Sequence, residues 1–243
     1  MEPLEEIKVL EAQGSIRKRF FVVLVRPEKA ENVGLVARSM KNTGFENLRI
    51  VKSSLLSEES FLTAVHARDI LEKAPLYSNL MEGTADLDLV FAATSKKRKN
   101  FSSLSLDEAV EKMLSFPSAT RIGLLFGNER TGLTSAELRS SNFRFIIPQA
   151  SKQPSYNLAS AVLLTLFPLF RFGFQGQEPI RNRPLSRKQQ EECIQLILNK
   201  LEKKRFIHST NKEHVIEMVY DLLGRLTLTE RDKKLLLAIF SKI

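Results

Sequence analysis

Three short stretches hold most of the residues whose types and spacing could do chemistry. The run Ile122–Phe126 leads into Gly127-Asn128-Glu129-Arg130-Thr131-Gly132-Leu133, and a second apolar run ends at Ile147-Pro148, followed by Ser155-Tyr156-Asn157. The third is Asn32-Val33-Gly34-Leu35-Val36-Ala37-Arg38. Glycines at 127 and 132 allow backbone to come close to a ligand, and in an open α/β sheet ligands lie beyond the carboxyl ends of the strands, where loops expose N–H and C=O groups. The chemistry on offer is therefore ligand binding, with Asn32, Arg38, Glu129, Ser155 and Asn157 supplying donors, acceptors and charge. The plainer alternative is that the glycines only make turns and that Ser155 and Asn157 only cap the next helix.

Several familiar chemistries are excluded by missing patterns. The chain contains no G-x-x-x-x-G-K-[ST], no G-x-G-x-x-G and no G-x-S-x-G, so a phosphate-cradling P-loop, a standard dinucleotide turn and a serine-hydrolase elbow are not expected. His66, His208 and His214 are scattered, and the single Cys193 cannot build a thiolate site, so no metal is expected. One cysteine also fits a reducing, cytoplasmic setting. The most apolar stretch, Ala159 to Phe170, is interrupted by Pro168 and is shorter than the ~18 residues that span a bilayer, so no membrane is expected. The acidic start, Met1 to Glu6, lacks the order of a signal peptide.

Charge points to a polyanion. The 243 residues carry a formal net charge of +9, and the basic residues cluster at Arg17-Lys18-Arg19, Lys96-Lys97-Arg98-Lys99, Arg181-Asn182-Arg183 and Lys203-Lys204-Arg205. One such run is usually a solvated face. Four together favour binding of a phosphate backbone.

The elements that must position these residues follow from hydrophobic periodicity. Phe20–Val25 reads as a buried strand, and Val33, Val36, Ala37 and Met40 recur at helical spacing up to Gly44. Strands are expected at 48–51, 87–93, 122–126 and 143–147, with helices at 61–71, 106–114, 135–139 and 157–170. Alternation of this kind implies an α/β fold with a mostly parallel sheet and helices on both faces. After the Gly- and Pro-punctuated segment 175–185 only helical periodicity remains, at 186–204, 212–223 and 229–241. From Gly176 onward 14 Lys and Arg stand against 9 Asp and Glu. The expected organisation is a lead-in (1–15), an α/β domain (16–174), a linker (175–185) and a basic all-α module (186–243).

The motifs then match a family. Leu24-Val25-Arg26-Pro27 through Asn32-x-Gly34-x-x-x-Arg38-x-Met40-Lys41-Asn42-x-Gly44 resembles the first motif of the SPOUT-class RNA 2′-O-methyltransferases, the TrmH/TrmJ family. Phe126-Gly127-x-Glu129-x-x-Gly132-Leu133-Thr134-x-x-Glu137-Leu138 resembles the second, and Ile147-Pro148 with Ser155-x-Asn157-Leu158-Ala159-x-Ala161 the third. The likeness spans roughly residues 20–170. Gly-Leu-Thr-x-x-Glu-Leu, Ala93-Thr94-Ser95-Lys96 and the basic helical extension are most similar to the TrmJ group. The sequence departs from the family pattern at Glu31, Tyr156 and Phe167-Pro168.

The resemblance implies S-adenosylmethionine as methyl donor, tRNA nucleotide 32 as target, a trefoil knot near the third motif and a homodimer with composite sites. It implies a donor pocket formed, largely through backbone, by Thr94, Ser95, Leu125, Gly127, Asn128, Glu129, Gly132, Ile147, Pro148, Ser155, Asn157 and Leu158, with the side chains of Leu125 and Ile147 read as core. Arg38 would activate the ribose 2′-hydroxyl, with Asn32, Glu129, Ser155 and Asn157 beside it in the catalytic set. A guanidinium with a pKa above ~12 is a poor base, so Arg38 either takes the proton or clamps a phosphate and stabilises the developing charge. Glu129 would orient Arg38 or accept the proton, or else be a helix-terminal carboxylate; Asn32 would bond a loop or the substrate, or else be an N-cap. Arg17, Lys18, Arg19, Lys96, Lys97, Arg98, Lys99, Arg181 and Arg183 would hold the tRNA backbone. The alternatives are a catalytically silent RNA-binding protein of the same fold and a ribosomal RNA 2′-O-methyltransferase.

Overall fold

Seven short segments make one sheet: β1 (Phe20–Val25), β2 (Asn47–Val51), β3 (Leu76–Tyr77), β4 (Leu89–Ala93), β5 (Leu104–Ser105), β6 (Ile122–Phe126) and β7 (Phe143–Ile146). They belong to a computed structural model that describes residues 17–53, 56–95, 102–150, 155–172 and 183–242. Strand order is β3-β2-β1-β6-β4-β7-β5 and every pairing is parallel. A parallel sheet is covered on both faces, which is why its central strands read as unbroken apolar runs.

Alternation along β1 feeds two cores. Phe20, Val22 and Leu24 pack with Phe91, Leu124 and Phe145 on one face, and Phe21, Val23 and Val25 with Val90, Ala92 and Leu125 on the other. The first face is covered by α1 (Ala30–Thr43), α2 (Glu58–Ala64), α3 (Arg68–Glu72), and, after the short α4 (Leu80–Thr84), by α5 (Leu106–Ser115). Beyond α6 (Ser135–Arg139), α7 (Leu158–Phe172) completes that layer through Val162, Leu166 and Leu169. Leu133 and Leu138 cover part of the opposite face. Helix α1 presents Val33, Val36, Ala37 and Met40 to the core and ends at Gly44, whose left-handed φ of 72° lets its N–H reach Lys41 O and Met40 O.

The structure corrects several local expectations. The continuous helix expected at 61–71 is divided: α2 stops at Ala64, Val65 takes φ 52°, one 3-10 turn covers Val65–Ala67, and α3 follows. Apolar spacing continues across that break, so periodicity could not reveal it. Sequence also missed β3, β5 and α4, which are too short to show a period. Asn32 is not an N-cap, because α1 begins at Ala30 with Lys29 in the cap position.

Helices α8 (Arg187–Lys203), α9 (Lys212–Gly224) and α10 (Glu230–Lys242) surround their own apolar cluster of Cys193, Ile194, Ile197, Val215 and Leu223. They dock through buried polar bonds. Asn142 accepts from Val90 N at 2.9 Å and donates to Gln190 Oε1 at 3.0 Å, and Gln190 Nε2 donates to Leu223 O at 2.6 Å. Arg187 N donates to Leu87 O at 2.6 Å. These contacts lie at the amino ends of β4 and β7, whereas the motif loops gather at the carboxyl ends.

Candidate functional site

A cavity of about 370 Å³ opens beyond the carboxyl ends of β4, β6 and β7. Its walls come from three segments: Ala93, Thr94 and Ser95 after β4; Phe126 through Leu133 after β6; and Ile147, Gln149, Ser155, Tyr156, Leu158 and Ala161 around the last loop and α7. The two polar loops singled out in the sequence therefore face one space.

The loop after β6 is held by its own atoms. A Cβ on Gly127 would lie 2.4 Å from the carbonyl carbon of Gly132 and 2.5 Å from Leu133 N, so the chain closes on itself there and only glycine fits. Gly132 is needed for another reason, its φ of 66°. Asn128 Oδ1 accepts from the backbone N–H groups of Arg130 and Thr131, each at 3.0 Å, while its Nδ2 donates to Arg26 O at 3.0 Å. Thus Asn128 lines the cavity as a scaffold for the loop.

The loop ends in a capping box. Thr134 Oγ1 accepts from Glu137 N at 3.2 Å, and Glu137 Oε2 accepts from Thr134 N at 2.8 Å, starting α6. Glu137 also takes both Nε and Nη2 of Arg26, at 3.1 and 2.7 Å. Burial pushes the Glu137 carboxyl up, but the bonds from Arg26 and Thr134 and the Arg26 charge outweigh it and hold the carboxyl below its ordinary range.

Glu129 does not meet Arg38 and is a carboxylate at a helix terminus, the alternative its position also allowed. Its carboxylate accepts from Glu28 N at 2.8 Å, Lys29 N at 3.3 Å and Asn32 Nδ2 at 2.8 Å. Lys29 offers no side-chain cap to α1, so Glu129 closes that helix terminus from a loop about 100 residues away, where the helix dipole favours a negative charge. Among the described residues no hydrogen bond or ion pair joins it to Arg38. Asn32 Oδ1 accepts from Asn157 Nδ2 at 2.8 Å, and Asn157 Oδ1 accepts from Ala159 N at 2.9 Å. One run of bonds therefore connects all three motifs.

Of the residues assigned to the donor pocket, Thr94, Ser95, Gly127, Asn128, Glu129, Gly132, Ile147, Ser155 and Leu158 line the cavity. Leu125, Pro148 and Asn157 do not. Alternation in β6 turns the Leu125 side chain into the opposite core and places Phe126 at the cavity. Pro148 O accepts from Tyr156 Oη at 2.8 Å, which closes the last loop. The sequence did not assign Ala93, Phe126, Arg130, Thr131, Leu133, Gln149, Tyr156 and Ala161 to the lining; the motif spacing around Gly127 and Gly132 already enclosed Arg130 and Thr131.

Arg38 is exposed on α1, outside the lining of this cavity, with no hydrogen-bond or ion-pair partner among the described residues. Of the basic residues assigned to RNA, Arg19 is corrected. It is 6% exposed, and its guanidinium donates to Met113 O, Phe116 O and Pro117 O at 2.7–2.8 Å, capping the end of α5. Burial pulls its pKa down to about 10. Lys18 is exposed, Arg17 stacks over the Phe170 ring, and Arg183 pairs with the buried Asp88 at 3.1 Å. Lys96, Lys97, Arg98, Lys99 and Arg181 lie outside the described residues. Among the described residues no cluster of three or more His, Cys, Asp or Glu could hold a metal ion, and no helix is long and apolar enough to cross a membrane.

Comparison with known proteins agrees with this geometry. Residues 19–167 match the model of the SpoU rRNA Methylase family. The tRNA (cytidine-2′-O-)-methyltransferase TrmJ of Methanocaldococcus jannaschii is 33% identical over 215 residues, covering 84% of this chain and 89% of that protein. A crystal structure of TrmJ from Z. mobilis ZM4 superposes with a TM-score of 0.78 at 25% identity, covering 91% of this chain and 97% of that one. A structure concerned with 2-OH methylation of C/U34 on tRNA gives a TM-score of 0.52 at 25% identity, covering 65% of this chain and 97% of that one. The chain thus belongs to the SpoU rRNA methylase family, the SPOUT-class RNA 2′-O-methyltransferases that its three motifs resemble.

Proposed function

We propose that the protein transfers a methyl group from S-adenosylmethionine to a ribose 2′-oxygen of tRNA, at nucleotide 32 of the anticodon loop. The observation that carries this reading is the hydrogen-bonded run Asn157–Asn32–Glu129, which locks the three motifs together beside the cavity. The TrmJ relative supports tRNA as the substrate. A ribosomal RNA target is the second reading, favoured by the name of the matched family.

The cavity suits an amphipathic donor. Its volume of about 370 Å³ is typical of small-molecule sites, which run from ~300 to ~1,000 Å³. Phe126, Leu133, Ile147 and Leu158 supply apolar wall, and Thr94, Ser95 and Ser155 polar edge. The Gly127 cradle leaves no room for a side chain. Bound there, S-adenosylmethionine supplies the electrophilic methyl group. Thr94, Ser95, Gly127, Gly132, Ile147, Ser155 and Leu158 hold it, backed by Leu125, Pro148 and Asn157.

Asn32, Glu129 and Asn157 act as positioning residues that fix α1, and α1 carries Arg38. Arg38 would clamp the substrate phosphate and stabilise negative charge developing on the 2′-oxygen, while the hydroxyl proton passes to solvent water and S-adenosylhomocysteine leaves as the thioether. Fixing donor and acceptor in line supplies much of the rate. Arg38 lies outside its own cavity, and α7, packed against α1, exposes Leu163, Leu164, Phe167 and Phe170. As the family resemblance implies, the proposal includes a homodimer in which Arg38 serves the partner's cavity and a knot near the third motif, and it places the protein in the cytoplasm. Arg17, Lys18, Arg183 and the basic helical module contact the tRNA backbone.

Incubation with methyl-labelled S-adenosylmethionine and unmodified tRNA tests the reading. Label is expected in tRNA and is lost with Arg38→Ala. No label above that variant's background would overturn it.

A further inference from the structure

Arg130 is the one cationic residue lining the cavity among the described residues. Its backbone is fixed, because its N–H donates to Asn128 Oδ1 at 3.0 Å inside a loop that Asn128 ties to Arg26. Its side chain is not. The guanidinium side chain is 78% exposed, and its ion pair, to Glu28 Oε1, is long at 3.8 Å. Glu28 sits on the β1–α1 loop, and its own N–H is held by Glu129 at 2.8 Å.

This arrangement combines a hydrogen-bonded backbone anchor with an exposed, weakly paired charge at the cavity edge. The other charged lining residue, Glu129, has its carboxylate engaged by two backbone N–H groups and by Asn32. Among the described residues, an oxyanion arriving at the cavity edge meets one guanidinium, that of Arg130, whose ion pair is a weak surface one. The guanidinium fork matches phosphate oxygens two at a time. A residue clasping the donor inside the cavity would be enclosed with it, whereas the Arg130 side chain is largely exposed to solvent.

We infer that Arg130 binds a backbone phosphate of the RNA adjacent to the nucleotide being methylated, and that Glu28 is the counter-ion it releases on binding. The inference rests on the proposed RNA methylation. It gives the second motif an RNA-binding residue beside its cavity wall, its loop scaffold and the positioning residue Glu129, and it gives the first motif a competing carboxylate.

The test compares wild type, Arg130→Ala, Arg130→Lys and Glu28→Gln. tRNA affinity is measured across a salt series, S-adenosylmethionine affinity by calorimetry, and kcat and KM in the methylation assay. Arg130→Ala is expected to weaken tRNA binding about tenfold and to lower the slope of log affinity against log salt by about one. KM for tRNA rises with it, Arg130→Lys restores part of the loss, and donor affinity stays as in wild type. Glu28→Gln is expected to tighten tRNA binding by about two- to threefold. If Arg130→Ala keeps wild-type tRNA affinity and salt slope, the inference is overturned. It is equally overturned if that variant loses donor affinity alone, since the oxyanion is then the donor's carboxylate. A wild type that binds tRNA without methylating it would instead overturn the proposed function, and the salt series would still report on Arg130.

Discussion

Asn157 donates its side-chain amide to Asn32 Oδ1 at 2.8 Å, joining residues 125 positions apart. Asn32 in turn donates to Glu129 Oε1 at 2.8 Å and is itself buried. Removing Asn32 breaks both bonds at once and leaves Asn157 Nδ2 and a carboxylate oxygen short of a partner. Asn32→Ala is expected to lower stability in urea by about 1–3 kcal/mol. A double-mutant cycle with Asn157→Ala should show a coupling of about 0.5–3 kcal/mol. Strict additivity would mean that the two amides do not act as one unit.

Glu129 caps a helix whose own N-cap residue, Lys29, lacks a suitable side chain. Glu129→Ala should therefore cost about 0.5–2 kcal/mol, measured by chemical denaturation. Glu129→Gln keeps one acceptor oxygen and should lose less. Equal stability of wild type and the alanine variant would contradict the cap.

The two loop glycines should respond differently. At Gly127 an added Cβ strikes backbone at 2.4 and 2.5 Å, so Gly127→Ala must move the loop and is expected to abolish donor binding in calorimetry. At Gly132 a Cβ meets nothing within 4 Å, and only the φ of 66° opposes it. That strain is about 1–2 kcal/mol. Gly132→Ala should thus be less stable yet still bind donor, and the reverse order would refute the assignment.

Arg26 and Glu137 give a pH signature. The folded pKa of Glu137 lies below its ordinary 4.5, so the unfolded chain binds the proton more readily. The pair's stabilisation is then fully present above pH 4.5 and falls away as pH drops through the lower folded value. Glu137→Gln should lower stability at neutral pH and flatten the acid limb of the stability curve. An acid limb as steep as in wild type would count against the pair.

Much of this frame was legible locally. Phe20–Val25 announced a strand buried on both faces, and Val33, Val36, Ala37 and Met40 announced α1. What stayed hidden depends on partners far away in sequence. Arg19 looked like part of a basic RNA-facing run, but the carbonyls at the end of α5, more than 90 residues on, draw it inward. Glu129 looked like a partner for Arg38, whereas the N–H groups it satisfies belong to Glu28 and Lys29.

The central claim is ribose methylation of tRNA with Arg38 at the reacting oxygen. Unmodified tRNA treated with the protein and S-adenosylmethionine, then digested and analysed by mass spectrometry of its nucleosides and fragments, tests it most directly. One 2′-O-methylated nucleotide is expected, at position 32, absent with Arg38→Ala. A methyl group on a base, or a ribose product that persists in Arg38→Ala, would contradict it.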